Sequence, residues 1–405
     1  MVQFNSIFTT IHALAIVALG TYWALIDRTT QRAILILFYI TGAELLWRGF
    51  KADVFWEYGK YSIILILLIL IWRFGLSRLS SKIGFLLVLF LLPSFIMLPE
   101  FNRQDISHSI SGPVTLGLAV TIFSNHIIKM EQLKTYLLSL LLPIISLFSL
   151  MLLSTIQHGR IDIYAAYINE YTTAGIGPNQ ASNIVGLGVF ICYLLYFLDK
   201  QNKRTYLIFG LGMLFQAIVT HSRGGFWNAI IAVSIGLIFL INNANQHLKF
   251  IMSIIFTSLI LYFVAFPIID DASGGSLSSR YMDTNLSQRE KITDSEMDAF
   301  RSSPLFGIGP GMSLKYRMTY YDSRKHTHTE YTRLFSEHGL FGIGFIIILI
   351  YLSWRIFKTN YGVSRSIAIS MVAWSLLFMF HSATRLAAPA IIFGLATAQF
   401  RLDED

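Results

Sequence analysis

The sequence has 405 residues but only one cysteine and few charged residues. The single Cys192 has no intrachain partner, which excludes disulfides from the fold. Charged residues make up 13% of the chain, whereas they make up about a quarter of a soluble domain. No nucleotide-binding loop of the glycine, lysine and serine type occurs, which argues against an ATP-driven reaction. No basic segment precedes the first apolar run, so we expect no cleavable signal at Met1 to Asn5.

Apolar residues are abundant, at 54% of the chain with a mean hydropathy of +0.59. Their long unbroken runs lack the alternation of a barrel strand and therefore predict helices, which satisfy their own backbone groups in lipid. We predict an all-α polytopic integral membrane protein with about 12 transmembrane helices (12–13), some of them short, tilted or broken. The predicted spans are Ser6 to Ile26, Ala33 to Trp47, Tyr61 to Leu76, Ile83 to Leu98, Ile110 to Ile128, Thr135 to Thr155, Asn179 to Leu198, Thr205 to Thr220, Gly225 to Ile241, Lys249 to Pro267, Gly339 to Phe357, Ser366 to Phe380 and Arg385 to Phe400.

Basic residues in short loops indicate the cytoplasmic side of a membrane protein. Three such clusters lie around Arg73 to Lys82, Asp199 to Arg204 and Arg355 to Arg365. Counting spans from them places residues 159–178, 221–224 and 269–338 on the opposite, extracytoplasmic face. The formal net charge of +8 is mostly this cytoplasmic bias, so we expect no nucleic acid partner.

The polar segment 269–338 separates a transmembrane bundle, residues 1–268, from the C-terminal transmembrane helices and short cytoplasmic tail, residues 339–405. A long loop of this kind is usually functional. Ser287 to Glu290 has the spacing of a capping box, which predicts a helix from there to about Arg301. Pro304 and the glycines up to Gly311 end that helix. We expect a second helix over residues 328–338.

Arginines in two of the extracytoplasmic segments are candidate anion ligands. Arg223 lies in a short turn between two apolar helices, and Arg289 lies in the first turn of the predicted loop helix. A guanidinium matches phosphate oxygens, so the two together would form a clamp for pyrophosphate. The alternatives are an arginine that snorkels to the interface and a solvated helix with weak salt bridges. Arg280 and Arg301 are weaker candidates for phosphate contacts.

Three histidines, His326, His328 and His338, lie near the end of the loop. We expect no metal site, because two histidines separated by one residue diverge on a helix and further ligands at a recognisable spacing are missing. A neutral imidazole next to a reacting hydroxyl is the better hypothesis, since histidine titrates near physiological pH and can accept a proton. Each histidine considered singly is better explained as an exposed loop residue.

Three sequence elements resemble the O-antigen ligases and the wider superfamily of O-antigen polymerases and bacterial protein O-oligosaccharyltransferases. They are Ser222 to Gly225, the run from Arg289 through Ser303 to Gly311, and His328 followed after ten residues by Gly339 to Gly342. Thr329 and His338 depart from the residues that are commonest in the family at those positions. The resemblance covers about residues 178–342, and its histidine–glycine spacing selects His328.

The resemblance implies transfer of a preassembled glycan from undecaprenyl pyrophosphate to a sugar hydroxyl of lipid A-core, without metal, nucleotide or another cofactor. It places the reaction at the periplasmic face of the bacterial inner membrane, with inversion at the anomeric carbon. His328 would be the base, Arg223 and Arg289 the pyrophosphate clamp, and Glu337 would orient one of them. The alternatives are a polymerase that extends the lipid-linked glycan and, from another class, a polysaccharide transporter or flippase. A transporter would place charges near the bilayer midplane, whereas here most lie at segment ends.

Overall fold

The computed structural model describes residues 6–76, 79–157, 172–220, 222–240, 267 and 287–401. The helices in these ranges are α1 (Ser6–Ile26), α2 (Gln31–Gly49), α3 (Tyr58–Phe74), α4 (Leu79–Leu89), α5 (Arg103–Phe123), α6 (Met130–Gln157), α7 (Pro178–Leu198), α8 (Lys203–Val219), α9 (Arg223–Leu240), α10 (Ser287–Ser302), α11 (Met312–Tyr321), α12 (Glu330–Thr359), α13 (Gly362–Ser382) and α14 (Ala388–Ala396). A 3-10 turn, Pro93–Met97, follows α4. Strands β1 (Ile127–Lys129) and β2 (Gln399–Arg401) form one short parallel pair, and the rest of the described fold is helical, as predicted.

Seven of the described helices are long and apolar enough to cross a bilayer: α1, α5, α6, α7, α9, α12 and α13. Helices α3 and α8 coincide with predicted spans but have 17 residues each, below the ~20 that comfortably cross the hydrocarbon core. The predicted span Lys249 to Pro267 lies, except for its last residue, outside the described residues. The described helices therefore agree with an all-α membrane protein, and the expected total of about 12 spans stays a prediction.

Two predicted spans were wrong as continuous membrane helices. The segment from Ile83 to Leu98 is divided between α4 and the 3-10 turn that begins at Pro93, because proline cannot donate the next helical hydrogen bond. The segment from Arg385 to Phe400 contains only the nine-residue α14, and every residue of that helix is buried in the protein. Its continuous apolar character reflects burial between helices instead of contact with lipid.

Polar contacts between helix termini define the two ends of the bundle. At the basic end, Arg73 donates to the Ala24 carbonyl over 2.6 Å, and Lys134 lies 3.5 Å from Asp199. The β1–β2 pair and the end of α12 also lie at the basic end. At the opposite end, which we call the loop end, the N-termini of α3, α5, α7, α9 and α12 meet the C-terminus of α13.

In its described part, the polar loop contains helices α10 and α11 and the first turns of α12. Helix α10 confirms the predicted loop helix, and α11 follows it after the glycine-rich turn. The expected second helix begins at Glu330, two residues later than predicted, and continues through a kink at Gly339 into the apolar part of α12. The later start has a local cause, because Thr329 has an extended backbone and its hydroxyl caps the Tyr331 amide.

Candidate functional site

A cavity of about 310 Å³ opens at the loop end of the bundle, and we call it the loop-end cavity. It is lined by Trp56, Glu57, Lys60, Asp105, His108, Ser109, Gln180, Gly311, Ser313, Leu314, His326, Thr327, Arg333, Glu337, Ala383 and Arg385. These residues come from α3, α5, α7, the loop segment, α12 and the connection between α13 and α14. Its ionisable side chains make it suited to a polar, charged ligand instead of an apolar one.

Lys60 and Glu57 form an ion pair in the wall contributed by α3. The Lys60 ammonium lies 2.6 Å from Glu57 Oε2, and the Ser111 hydroxyl donates to the same carboxylate oxygen over 3.3 Å. His108 Nε2 lies 3.8 Å from the other oxygen of Glu57. Lys60 is 1% exposed, so removing its partner would leave a charge without compensation. This wall is therefore held in one arrangement before any ligand binds.

Arg333 projects from the first part of α12 and is anchored by Glu330 of the same helix. Its Nη2 donates to the two Glu330 oxygens over 2.6 and 2.7 Å and to the Ser109 carbonyl over 3.0 Å. Glu330 also accepts a hydrogen bond from the Thr384 amide over 2.8 Å. The pair thus joins α12 to α5 and to the α13–α14 connection, which fixes three walls of the cavity relative to one another.

Arg385 is the lining cation without a carboxylate partner: in the part of the chain that the structure describes, no carboxylate oxygen lies within 4 Å of its guanidinium. Its Nη2 donates to the Thr327 carbonyl over 2.8 Å. Glu44 of α2 holds the backbone two residues after Arg385. Its Oε2 accepts a hydrogen bond from the Ala387 amide over 2.8 Å, and its carboxylate pairs with Arg48. Arg385 is therefore held at the cavity with hydrogen-bonding capacity for an anion.

Glu337, a candidate from the sequence, lines the loop-end cavity and is 2% exposed. The Ser109 hydroxyl donates to its Oε2, and the Ser313 amide donates to its Oε1 over 3.3 Å. Neither contact is with an arginine or a histidine. The prediction that Glu337 orients an arginine or the catalytic histidine therefore has no support from its hydrogen bonds, which join it to α5 and to the start of α11.

The glycine-rich turn before α11 is packed against the kink in α12. The Ile308 amide donates to the Ser336 carbonyl over 2.9 Å, and the Leu340 amide donates to the Pro304 carbonyl over 2.8 Å. Gly307 and Gly339 have φ values of 72° and 58°, and a Cβ atom on either would lie 2.3 to 2.5 Å from backbone atoms of the other segment. Two of the sequence elements that carry the family resemblance therefore form one packed unit beside the cavity.

The predicted histidines occupy three different environments. His326 lines the loop-end cavity, where partial desolvation and then the nearby Arg385 and His108 lower its pKa below 6.5, which favours the neutral imidazole at pH 7. His328 is half-buried immediately before the N-cap of α12 and is not among the lining residues. In the described residues, no group of three or more histidine, cysteine, aspartate or glutamate side chains is placed to hold a metal ion.

His338 is buried between α12 and the 3-10 turn. It is 1% exposed, and its Nδ1 lies 2.7 Å from the Ser94 hydroxyl. The Ser94 hydroxyl also lies 2.9 Å from the Leu91 carbonyl, so it joins His338 to the connection between α4 and the 3-10 turn. The His338 side chain therefore joins α12 to the 3-10 turn and is not among the residues that line the loop-end cavity, and its candidate role stays a prediction.

Arg223 is exposed at the first turn of α9 and does not line the cavity. Its turn is tied to α7, because the Ser182 hydroxyl donates to the Ser222 carbonyl and the Ser222 hydroxyl donates to Asn179 Oδ1, both over 2.8 Å. The next residue in α7, Gln180, does line the cavity. The Arg223 turn therefore borders the same end of the bundle one helix away from the cavity.

Of the remaining predicted arginines, only Arg301 has a side chain within the described part of the structure. Arg289 lies in the first turn of α10, at a position whose side chain is outside the described part of the structure, and Arg280 lies outside the described residues altogether. The Arg301 side chain is 73% exposed and pairs with Asp298 over 2.8 Å, a surface pair that contributes little to stability. Nothing in its surroundings supports a role for Arg301 in binding phosphate.

Lys60, His108, Arg333 and Arg385 are lining residues that the sequence did not identify. Arg333 lies inside the predicted helix 328–338 and Arg385 is the first residue of a predicted span, and neither was singled out. One signal was available: charged residues inside or next to membrane helices are costly and commonly functional. Lys60 and Arg333 fit that rule, but identifying their partners required the tertiary contacts.

The segment that carries His326 and His328 is held by a buried ion pair between two loop helices. Arg317 of α11 is 0% exposed and donates to Glu296 of α10 over 2.5 Å and to the Ser295 hydroxyl over 2.9 Å. Its Nη1 also donates to the Lys325 carbonyl, and the Thr327 hydroxyl donates to Glu296. The pair therefore anchors the backbone on the N-terminal side of both histidines.

Residues 207–347 match the protein family described as O-Antigen ligase, and no curated protein matches the chain. The matched region begins in α8, ends in α12 and contains Arg223, Arg289 and His328. It confirms the family predicted from the sequence, whose members are membrane glycosyltransferase-like proteins. The loop-end cavity is built partly from matched residues, such as Arg333 and Glu337, and partly from residues outside the match, such as Lys60 and Arg385.

Proposed function

We propose, for a chain whose residues 207–347 belong to the O-antigen ligase family, that the protein transfers a preassembled glycan from undecaprenyl pyrophosphate to a sugar hydroxyl of lipid A-core. The single observation that carries the proposal beyond the family is the loop-end cavity, which joins anchored carboxylates, a histidine of lowered pKa and a cation without a carboxylate partner among the described residues. Carboxylates and histidine suit sugar hydroxyls, and the cation suits a phosphate.

The proposed reaction is a single displacement at the anomeric carbon of the donor sugar. The acceptor oxygen forms the new glycosidic bond as its proton passes to the base, and the bond to the pyrophosphate oxygen breaks with its electron pair. Undecaprenyl pyrophosphate leaves with the negative charge, and the anomeric configuration inverts. Catalysis needs a base and fixed cations near the departing oxygens, and the reaction consumes no nucleotide.

We assign the base to His328 on its spacing from Gly339, and the pyrophosphate clamp to Arg223 and Arg289 on their positions in the family pattern. We add Arg385, which lines the loop-end cavity, as a third cation for the same anion. Helix α7 supports a common site, because it bonds to the Arg223 turn through Asn179 and lines the cavity through Gln180. The apolar helices would hold the polyprenyl tail in the bilayer.

We further propose that the loop end faces the periplasm and that the protein lies in the bacterial inner membrane. Basic residues near Arg73, Lys203 and Arg355 lie at the basic end, where the positive-inside rule places the cytoplasm. The cavity lies at the other end of the same helices. This arrangement supports a lipid-linked donor that presents its glycan on the side opposite to the basic loops.

The test of the function is a transfer assay with purified protein, lipid-linked glycan and lipid A-core, without added nucleotide or metal. We expect glycan attached to lipid A-core, detected by a mobility shift and by mass. Longer lipid-linked chains without attachment would instead identify a polymerase that uses a second donor as acceptor. A protein that forms neither product with several donors would contradict the glycosyltransferase proposal.

Replacing Arg385 by glutamine should lower transfer by about 10²-fold, because one fixed donor to a developing anion typically has that effect. Arg385→Lys keeps the charge but loses the planar fork, so we expect intermediate activity. Initial rates at varied donor concentration measure the effect. The matched control is Arg301→Gln, which removes an exposed arginine outside the cavity and should leave the rate within about twofold of wild type. Equal transfer rates for Arg385→Gln and Arg301→Gln would show that Arg385 does not take part in the reaction.

A further inference from the structure

A second polar cavity, of about 300 Å³, lies at the basic end of the bundle, and we call it the basic-end cavity. It lies between the last turns of α12 and the β1–β2 pair, on the opposite side of the protein from the loop-end cavity. Its polar lining includes Arg355, Thr359, Asn360, Gln399 and Arg401. None of these residues has a role in the proposed glycan transfer.

Arg355 carries a buried nitrogen at this cavity. Its Nη1 is shielded from solvent and has no hydrogen-bond partner among the described residues. A buried guanidinium donor that lacks an acceptor is costly, so such groups usually have a ligand or an ion pair. Within the described ranges, no aspartate or glutamate lines the cavity or lies within 4 Å of Arg355 or Arg401. Two guanidinium groups therefore share a cavity wall that holds no carboxylate from the described residues.

Three of the neighbouring polar side chains already donate to backbone carbonyls. Thr359 donates to the Arg355 carbonyl over 2.9 Å, Asn360 donates to the Ile356 carbonyl over 2.9 Å, and Thr397 donates to the Gly394 carbonyl over 2.6 Å. The donors available to a ligand include the guanidinium groups and the exposed Gln399 amide. A ligand with several acceptor oxygens and negative charge fits this set, and phosphate is the common group with that chemistry.

The surface next to the cavity has the character of a membrane interface. Trp354 and Tyr361 are 57% and 71% exposed, and they flank the end of α12 where its apolar sequence stops. Exposed tryptophan and tyrosine gather at the headgroup level of bilayers. Arg365 is stacked on Phe357 and Tyr361 at 4.8 and 5.0 Å and donates to the Asn360 carbonyl, so it is held outside the cavity. The residues around the basic-end cavity are thus of the kind found at the depth of lipid phosphates.

We propose that the basic-end cavity binds the phosphate group of an anionic phospholipid through Arg355 and Arg401. The lipid would seal the end of α12 against β2 by supplying acceptors to the buried Arg355 Nη1. This site is independent of the glycan transfer proposed above, because it lies at the other end of the bundle. It would link the packing of α12 and β2 to the composition of the surrounding leaflet.

The test measures lipid bound to the full-length purified protein by native mass spectrometry during titration with phosphatidylglycerol or phosphatidylcholine. We expect preferential retention of phosphatidylglycerol, weakened at least about tenfold by Arg355→Gln, in line with the loss of a hydrogen bond to a charged group. Arg355→Lys should retain part of the binding. The matched control is Lys358→Gln, which removes an exposed charge from the same helix outside the cavity lining and should change binding by less than about twofold.

Two further experiments distinguish a bound lipid from other anions. Inorganic phosphate alone tests the free ion: saturable, Arg355-dependent binding of phosphate without any phosphatidylglycerol retention would overturn the lipid assignment. Asp403, Glu404 and Asp405 follow Arg401 in the sequence and could supply carboxylates. If the wild type retains no phosphatidylglycerol while a variant with these three acids changed to amides does, the cavity belongs to the carboxylates and the proposal is wrong. Equal retention by wild type and Arg355→Gln, with both proteins folded by thermal melting, would also overturn it.

Discussion

Replacing His328 by alanine is expected to lower glycan transfer by about 10²- to 10⁴-fold, the usual contribution of a positioned general base. His328 stands between two anchored neighbours, since the Thr327 carbonyl accepts from Arg385 and the Thr329 hydroxyl caps α12. Its backbone is therefore held at the edge of the loop-end cavity before substrate binds. Single-turnover transfer to lipid A-core measures the loss, and thermal melting of the variant should match wild type.

His326→Ala is the informative companion, because His326 lines the cavity and its lowered pKa leaves a neutral imidazole at pH 7. We expect it to weaken binding with less than about a tenfold loss of maximal rate, as a substrate contact would. Full activity of His328→Ala together with an inactive His326→Ala would move the base to His326. In that case the rate should fall as the pH drops through the pKa of His326, below 6.5, and remain constant above it.

Replacing Glu296 by glutamine is expected to destabilise the loop helices by about 3–5 kcal/mol, the usual cost of removing one partner from a buried ion pair. Arg317 would keep its charge at 0% exposure while its carboxylate partner is gone. The segment that carries His326 and His328 should then open more often, because Thr327 also loses its carboxylate acceptor. Limited proteolysis between α11 and α12 and thermal melting measure the change.

The exposed pair of Arg301 and Asp298 provides the matched control for this prediction. Arg301→Ala breaks a surface pair and should cost no more than about 1 kcal/mol. The double variant Glu296→Gln with Arg317→Met should recover part of the lost stability, because it also removes the stranded charge. A Glu296→Gln variant as stable and as protease-resistant as Arg301→Ala would show that the buried pair does not hold the loop helices together.

Helices with local signals were predicted closely. The capping-box spacing at Ser287 and the glycines after Pro304 bounded α10 to within one residue, and the long apolar runs located α1, α6 and α7. Helix α11 was missed because its sequence is mixed and weakly apolar, and its position depends on the buried Arg317. Helix α14 was assigned to the membrane because burial in protein and burial in lipid select the same residues.

The residues of the candidate site were likewise predicted only in part. Spacing along the chain identified His328, Arg223 and Arg289, and their roles stay predictions. Glu337 and His326 were predicted as secondary residues, and the structure places both at the loop-end cavity. Nothing in the local sequence distinguishes His338 from His326, yet His338 is buried against Ser94. Sequence spacing could not separate the two, because their difference is a contact with a residue far away in the chain.

The sequence by itself determined that this protein is a helical membrane protein with a polar loop before α12, and that its residues 207–347 match the O-antigen ligase family. Apolar runs determine helices locally, because each backbone group in lipid must be satisfied within its own segment. Only the tertiary structure decided which ionisable residues meet. Lys60, Arg333 and Arg385 line one cavity although they lie in distant parts of the chain, and their pairing depends on how packed helices bring particular side chains to a shared end of the bundle.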